Sequence, residues 1–371
     1  MSDANCHRVF LVTYPRTASN LLIRILNLPN QLKIYTPNAL AGYLFTPAAQ
    51  VIRDSNAWAA PLDSWPDGLA DRLKQIYRDG FVELEKTASK GADLGRTVFV
   101  KEHIQGLLHP LAQQRFVFGN ANGKVPIKSE DLEQWDFSTT VGEVGNYSAL
   151  NDTVLPDETL ESWKPIFLIR HPALSFPSFY RIFRVLEGDE DDDPSGGRER
   201  WLDLYLTLHF TRRLYELYCA KDGAVGNKER SPTKTADEGE GEDGAHDGPR
   251  SQQHLLEWPI VLDADDIITA PVIVERLARQ IGMDVSNLKF KWDATSVEER
   301  KTMSALMQTM LSTLLASDGV QVAKAAGQVV DVEVEKKKWE TEWGESKARK
   351  LERWVQAAMA DYLFLSGKRM R

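Results

Sequence analysis

Three short segments of this chain carry residue types that hold anions and move protons. The first is Tyr14 to Asn20, YPRTASN, in which Arg16 is followed by Thr17, Ala18, Ser19 and Asn20. The second sets Arg170 eight positions before Ser178. A planar, permanently charged fork with a hydroxyl donor nearby is what a dianionic phosphate calls for. The third places Lys101 two residues before His103, a cation beside an imidazole whose ordinary pKa lies near neutrality. Each has a plainer reading when taken singly: a buried turn, an arginine paired with a surface carboxylate, a satisfied core histidine. Their occurrence together in one chain is what argues for a site.

The elements around them are legible. Val9 to Val12 is a continuous apolar run, as in a parallel strand covered on both faces. Leu21, Leu22, Ile25 and Leu26 then recur at helical spacing, so the intervening turn faces the free N–H groups and positive dipole end of a helix, where an anion binds. Ile166 to Ile169 predicts a second buried strand that delivers Arg170 at its carboxyl end, where ligands of open α/β sheets bind. Thr97 to His103, TVFVKEH, predicts a third strand, ending in Lys101 and His103. The loop is not GxxxxGK[ST], and Arg16 is followed by Thr17 without a glycine frame, so a P-loop kinase or nucleotide hydrolase fits poorly.

TYPRTASN resembles instead the 5′-phosphosulfate loop of sulfotransferases that use 3′-phosphoadenosine 5′-phosphosulfate (PAPS), which runs roughly TYPKSGTTW. Thr13, Tyr14 and Pro15 match, Arg16 stands for the lysine, Ser19 for one phosphate-binding hydroxyl and Asn20 in place of a second. Ala18 stands where the family has glycine, and Leu21 where many members stack a tryptophan on adenine. The separation of Arg170 and Ser178 resembles the family's 3′-phosphate site, and VKEH its VKTH motif. The resemblance implies an α/β fold with a P-loop-like central parallel sheet and helices on both faces. It also implies sulfuryl transfer from PAPS to a hydroxyl or amine, with His103 as general base, Lys101 and Arg16 supplying positive charge, and no metal. Arg16, Thr17, Ala18, Ser19, Asn20, Arg170 and Ser178 would hold the donor. A non-catalytic nucleotide-binding member of the same fold is the alternative.

Composition agrees with an enzyme of this kind. With 42% hydrophobic residues in 371, the chain can bury a large core, and residues 1–371 are read as one domain. Two cysteines, Cys6 and Cys219, make no disulfide framework and fit a reducing compartment. No leader peptide or apolar stretch of the ~20 residues of a membrane span is read, so a cytoplasmic protein acting on a small molecule is expected, without membrane or nucleic-acid partners. The net charge of −9 sits largely in Glu187 to Arg198 and Cys219 to Gln253, which hold fourteen acids and six bases and leave 40 acids against 39 bases elsewhere. Both segments read as low-complexity, solvated, flexible loops.

The rest of the chain reads as scaffold. Trp201, Leu204, Tyr205, Leu208 and Tyr215 follow helical spacing, Trp258 to Leu262 predicts a late strand, and Val272 to Ile281 a helix closed at Gly282. Leu351 to Leu363 carries an apolar stripe. Asp263 falls about where the family has a tyrosine on adenine, and its late RKGxxG loop is not recognisable. Lys336 to Lys338 reads as a solvated basic face or a substitute for that loop, and His171 as structural. The aromatic stretches Tyr35 to Phe45, Trp58 to Trp65, Tyr77 to Phe81 and Trp135 to Tyr147 are expected to line a pocket for a ring-bearing or lipophilic acceptor.

Overall fold

Apolar runs too short for helices pair here as parallel strands. The computed structural model describes residues 7–57, 60–119, 145–229, 257–303, 305–325 and 329–371. Among these residues the strands β1 (Arg8–Thr13), β2 (Ile34–Tyr35), β3 (Thr97–His103), β4 (Lys164–Ile169) and β5 (Ile260–Asp263) form one sheet in the order β2-β3-β1-β4-β5, and every neighbouring pair is parallel. β1 lies at the centre. Its last residue, Thr13, stands opposite His103 of β3 and Leu168 of β4.

Alternation along the strands separates two cores. Val9, Leu11, Phe99, Ile166, Leu168 and Leu262 face one side, against α1 (Ser19–Leu26) and a later helix, Pro271–Gln280. Phe10, Val12, Val98, Val100, Phe167 and Ile169 face the other. That second side is covered by α2 (Leu69–Asp93), α3 (Pro172–Glu187), α4 (Gly197–Tyr205) and α5 (His209–Glu229). After Pro271–Gln280, which is α6, come α7 (Ala305–Ala316), α8 (Val332–Trp343) and α9 (Glu345–Ser366), of which α8 and α9 join the second core. Fully burying one such side chain stabilises the fold by about 1.5–3 kcal/mol. The expected α/β architecture with a parallel sheet and helices on both faces is the one observed. No helix among the described residues is long and apolar enough to cross a membrane.

Three local expectations change. The helical stripe from Trp201 to Tyr215 is two helices, α4 and α5, broken at Leu206 to Leu208, although all of its apolar side chains are buried or nearly so. The acidic run Glu187 to Arg198 is tied down by ion pairs, although Asp191, Asp192, Pro194 and Ser195 remain exposed. Asp189 accepts from Arg184 at 2.9 Å and from Lys347 of α9, Lys350 reaches Asp191 at 3.0 Å, and the Asp193 carboxylate accepts from the Arg198 backbone at 2.8 Å. Acids that look like surplus in sequence find a basic row on α9. The segment from Cys219 begins as helix, since α5 continues to Glu229; residues 230–253, like 135–144 and Trp58, lie outside the described residues.

A turn beside β3 bears directly on the carboxyl end of the sheet. Asn38 holds it, accepting from the Gly42 N–H at 3.1 Å and donating to the Gly42 carbonyl at 2.8 Å. Lys101 N–H then donates to the Ala41 carbonyl at 2.7 Å, and Tyr43 N–H to the Lys101 carbonyl at 3.0 Å. The Gly42 backbone lies so close to β3 that an added Cβ would stand 1.8 Å from the Lys101 carbonyl oxygen. Gly42→Ala is therefore expected to cost about 3 kcal/mol or more in urea denaturation, because backbone on both sides must move. A loss under about 1 kcal/mol would show that the turn is not held against β3.

Candidate active site

The loop after β1 has the geometry of an anion cradle. Arg16 and Ala18 both take left-handed backbone conformations, with φ of 70° and 62°. Alternation of this kind turns successive N–H groups inward to a common point. Ala18 is the N-cap of α1 and no side chain caps that end, so the first-turn N–H groups face the same place. Inside the loop the Thr17 hydroxyl donates to the Tyr14 carbonyl at 2.7 Å, and from β4 the Arg170 guanidinium donates to the Arg16 carbonyl at 3.2 Å. Left-handed geometry costs a residue with a Cβ about 1–2 kcal/mol. Two such residues so close together make this a strained loop held by its neighbours.

A cavity of about 590 Å³ opens over the carboxyl ends of the strands and gathers Arg16, Ala18, Ser19, Asn20, His103, Arg170 and Ser178 on its walls. Thr17 and Lys101 are absent from those walls. Thr17 is buried within the loop, so its side chain is structural and only its backbone can serve a ligand. Lys101 is fully buried and stands behind Asn20, donating to the Asn20 carbonyl oxygen at 2.6 Å. Arg16 does line the cavity. Its Nε donates to Ser178 Oγ at 2.9 Å and another N–H to the Met310 carbonyl at 2.7 Å, so the guanidinium lies on the α3 side, where these are the acceptors it uses.

The rest of the wall comes from places with no motif in the sequence. Leu174, Pro177 and Ile182 of α3, Met310, Leu311 and Leu314 of α7, and Trp339 of α8 supply it. Among the described residues, none from the aromatic stretches expected there lines it, although Tyr43 of the first stretch reaches His103. Phe45 and Tyr77 are buried in the core behind the sheet, Trp65 packs against that core, and Tyr147 donates to the Val154 carbonyl. Residues that pack between α2 and the sheet are shielded from the cavity. The largely apolar sequence of α7, broken only by Gln308, Thr309, Ser312 and Thr313, carries no mark that separates a cavity wall from a core helix. Lys338 does line the cavity, paired with Glu335 at 2.5 Å, whereas Lys336 pairs with Glu352 on α9. Asp263 caps the short helix Ala264–Thr269 and accepts from Tyr362 at 2.9 Å. His171 is structural, as expected: its ring nitrogen caps α3 by accepting from the Ala173 N–H.

Cations outnumber carboxylates in the site, where Glu335 is the acid on the cavity wall. Burial lowers the pKa of Arg16, and the neighbouring Arg170 and Arg181 lower it further. Burial also brings the Lys101 ammonium down to about 7, despite the pull of Glu102. Glu102 faces away, accepting from the Phe45 and His103 backbone N–H groups at 3.0 and 3.1 Å, and burial raises its carboxyl to about 7. His103 falls to about 3, first by desolvation and then by Lys101 and Arg16. It is neutral in the folded protein. Sequence reading took Tyr43 only as part of the stretch Tyr35 to Phe45; its hydroxyl lies 3.3 Å from His103 Nε2 and its ring lies under the Lys101 ammonium, 4.3 Å from its centroid. A glycine before an aromatic residue in an inter-strand turn is its only sequence signal.

The strain at Ala18 is testable. Ala18→Gly relieves a left-handed cost of about 1–2 kcal/mol but adds unfolded-chain freedom worth about 0.4–1 kcal/mol. A net gain of up to about 1 kcal/mol in urea denaturation is expected. A clear loss would mean that the methyl group's contacts in the wall outweigh the backbone term.

Known proteins complete the picture. No protein-family model matches the chain. "Sulfotransferase ppzF" of Metarhizium rileyi (strain RCEF 4871) is 34% identical over 364 residues, covering 98% of this chain and 96% of the relative. "Sulfotransferase ppzF" of Metarhizium majus (strain ARSEF 297) is 35% identical over 366 residues, with 98% and 97% covered. A solved sulfotransferase domain from the Synechococcus PCC 7002 olefin synthase aligns over 93% of this chain and 98% of its own, at 12% identity and a TM-score of 0.31, and carries no weight beside them. An identity of about a third sustained along both full-length relatives leaves one conclusion: this chain belongs to the sulfotransferase family.

Proposed function

We propose that this sulfotransferase takes its sulfuryl group from PAPS and passes it to a hydroxyl or amine of a small molecule, with His103 as the base. The observation that carries the reading is the single cavity shared by the strained loop at Arg16 to Asn20, the Arg170–Ser178 pair and His103. Inward N–H groups at the α1 start suit the 5′-phosphosulfate, and the Arg170 fork with the Ser178 hydroxyl suits the 3′-phosphate. In the reaction the bond from sulfur to the phosphate oxygen breaks and a bond from sulfur to the acceptor forms. The acceptor's proton moves to His103, and 3′,5′-ADP (PAP) leaves. Charge growing on the phosphate oxygen meets the loop N–H groups and Arg16, fixed dipoles and cations that need no rearrangement. Lys101 supports the same charge from behind Asn20. The apolar side chains of α3 and α7 favour an acceptor with a lipophilic body. One sheet with a core on each side supports treating residues 1–371 as one domain.

Donor recognition is checked by calorimetry. A hydrogen bond to a charged group is worth about 1.5–3 kcal/mol, so Arg170→Ala is expected to weaken PAP about 10- to 100-fold or more. Binding of 5′-AMP should fall only a few-fold, through the lost bond to the Arg16 carbonyl. Equal losses for the two ligands would take Arg170 out of 3′-phosphate recognition.

The base is checked by rate and by pH. His103→Ala should lower kcat about 10²–10⁴-fold with PAP affinity nearly unchanged. In the free enzyme the His103 pKa lies far below its ordinary 6.5, so the acid limb of kcat/KM should fall below about pH 6. The unfolded chain binds this proton below 6.5 while the folded one refuses it down to about 3. This histidine therefore contributes stability that is complete above 6.5 and lost as pH falls toward 3. An acid limb near the ordinary 6.5, or near-normal turnover in His103→Ala, would assign the base elsewhere.

A further inference from the structure

A run of hydrogen bonds crosses the site from the phosphate loop to the sheet, and its direction follows from what each group can donate. Lys101, as an ammonium, only donates, and it gives a proton to the Asn20 side-chain oxygen at 2.6 Å. That leaves the Asn20 amide NH₂ as donor. The Asn20 and Ser19 side chains also act on the Tyr43 phenol, lowering its pKa against the larger effects of burial and Glu102, as groups that donate to its oxygen do. The phenol's own proton then points to His103 Nε2 at 3.3 Å. On the far side of the ring, His103 Nδ1 lies 2.6 Å from Thr13 Oγ1, and the Thr13 hydroxyl donates to the Glu102 backbone carbonyl at 3.1 Å. A carbonyl only accepts. With its one proton committed there, Thr13 must accept from Nδ1.

Resting on the reading of His103 as base, we propose that Thr13 and Tyr43 are positioning residues that fix its tautomer, with the proton on Nδ1 and the lone pair of Nε2 turned to the acceptor side. The reverse tautomer fails at both ends. A proton on Nε2 would compete with Asn20 and Ser19 for the phenol oxygen, and the Tyr43 proton would lose its acceptor. Turning the Thr13 proton to Nδ1 would leave its oxygen facing the Glu102 carbonyl at 3.1 Å with no hydrogen between them. Unmade bonds of this kind in a buried place are costly. Two backbone constraints hold the arrangement: Thr13 is paired in register with His103 across β1 and β3, and Tyr43 follows the glycine that lies against Lys101. Tyr43 bonds the same Nε2 that would take the acceptor's proton, so an acceptor that reaches Nε2 takes over the bond the phenol makes.

The test reads the tautomer directly. Wild-type protein labelled with ¹⁵N-histidine, with His103→Gln to identify the resonance, should show His103 Nδ1 in the protonated range and Nε2 in the unprotonated range at about pH 7. Removing the hydroxyl in Thr13→Val deletes one hydrogen bond and should shift the tautomer ratio about tenfold toward Nε2–H. Thr13→Ser keeps the hydroxyl and should restore the wild-type ratio, and PAP affinity should be the same in all three. A wild-type His103 protonated on Nε2 would overturn the proposal, as would a Thr13→Val variant with an unchanged ratio. If Thr13→Val does not fold, the wild-type spectrum and Tyr43→Phe decide in the same way. Turnover in His103→Ala tests the base itself, so failure of that reading is distinguished from failure of this one.

Discussion

The pairing of Thr13 with His103, at the carboxyl ends of two neighbouring parallel strands, is the constraint on which the site rests. It is set far from the chemistry. Phe10 and Val12 must face one core while Val9 and Leu11 face the other, so a slip of one residue between β1 and β3 would turn four buried side chains to the wrong side. Register is thereby fixed by apolar burial along the whole strand. The hydroxyl, the imidazole and the start of the anion loop are carried to their places by it.

Positive charge is assembled there at some cost. Burial and the nearby Arg170 and Arg181 depress Arg16, burial depresses Arg170, and Lys101 is desolvated with its ammonium over a phenol ring. The one carboxylate next to them in sequence, Glu102, is turned inward and engaged by the Phe45 and His103 backbone. Asp263 and Asp265 offset part of the charge at Arg170, and Arg16 and Lys101 remain beside it, a cluster of buried cations well suited to a polyanion, whose arrival relieves the repulsion. Burial, and after it Lys101 and Arg16, keeps His103 neutral; those cations oppose its protonation, and a polyanion that offsets them would restore its basicity.

Much of this is legible in the sequence alone. The buried strands, the phosphate loop and the Arg170–Ser178 spacing rest on periodicity and on short motifs whose residues are local in sequence. What could not be read depends on distant contacts. Lys101 looks like a catalytic cation in VKEH, yet only the fold places Asn20 between it and the cavity. The acids from Glu187 to Asp193 look solvated until α9, more than 150 residues later, sets Lys347 and Lys350 beside them. The aromatic stretches suggested a pocket because aromatic residues line pockets and cores alike, and here the core claims Phe45 and Tyr77. Ala18 in a left-handed conformation was foreshadowed by the glycine that stands there in related loops.

Helix α5 has one more consequence. Its Tyr218 donates to the Leu160 carbonyl, just ahead of the point where β4 begins at Lys164, and Trp258 lies just ahead of β5, which begins at Ile260. Tyr218 and Trp258 thus lie near the amino edge of the sheet. A six-residue strand spans about 20 Å, which is the distance that separates this edge from the cavity mouth. A change of side chain at Tyr218 or Trp258 therefore acts a strand's length away from the walls of the cavity.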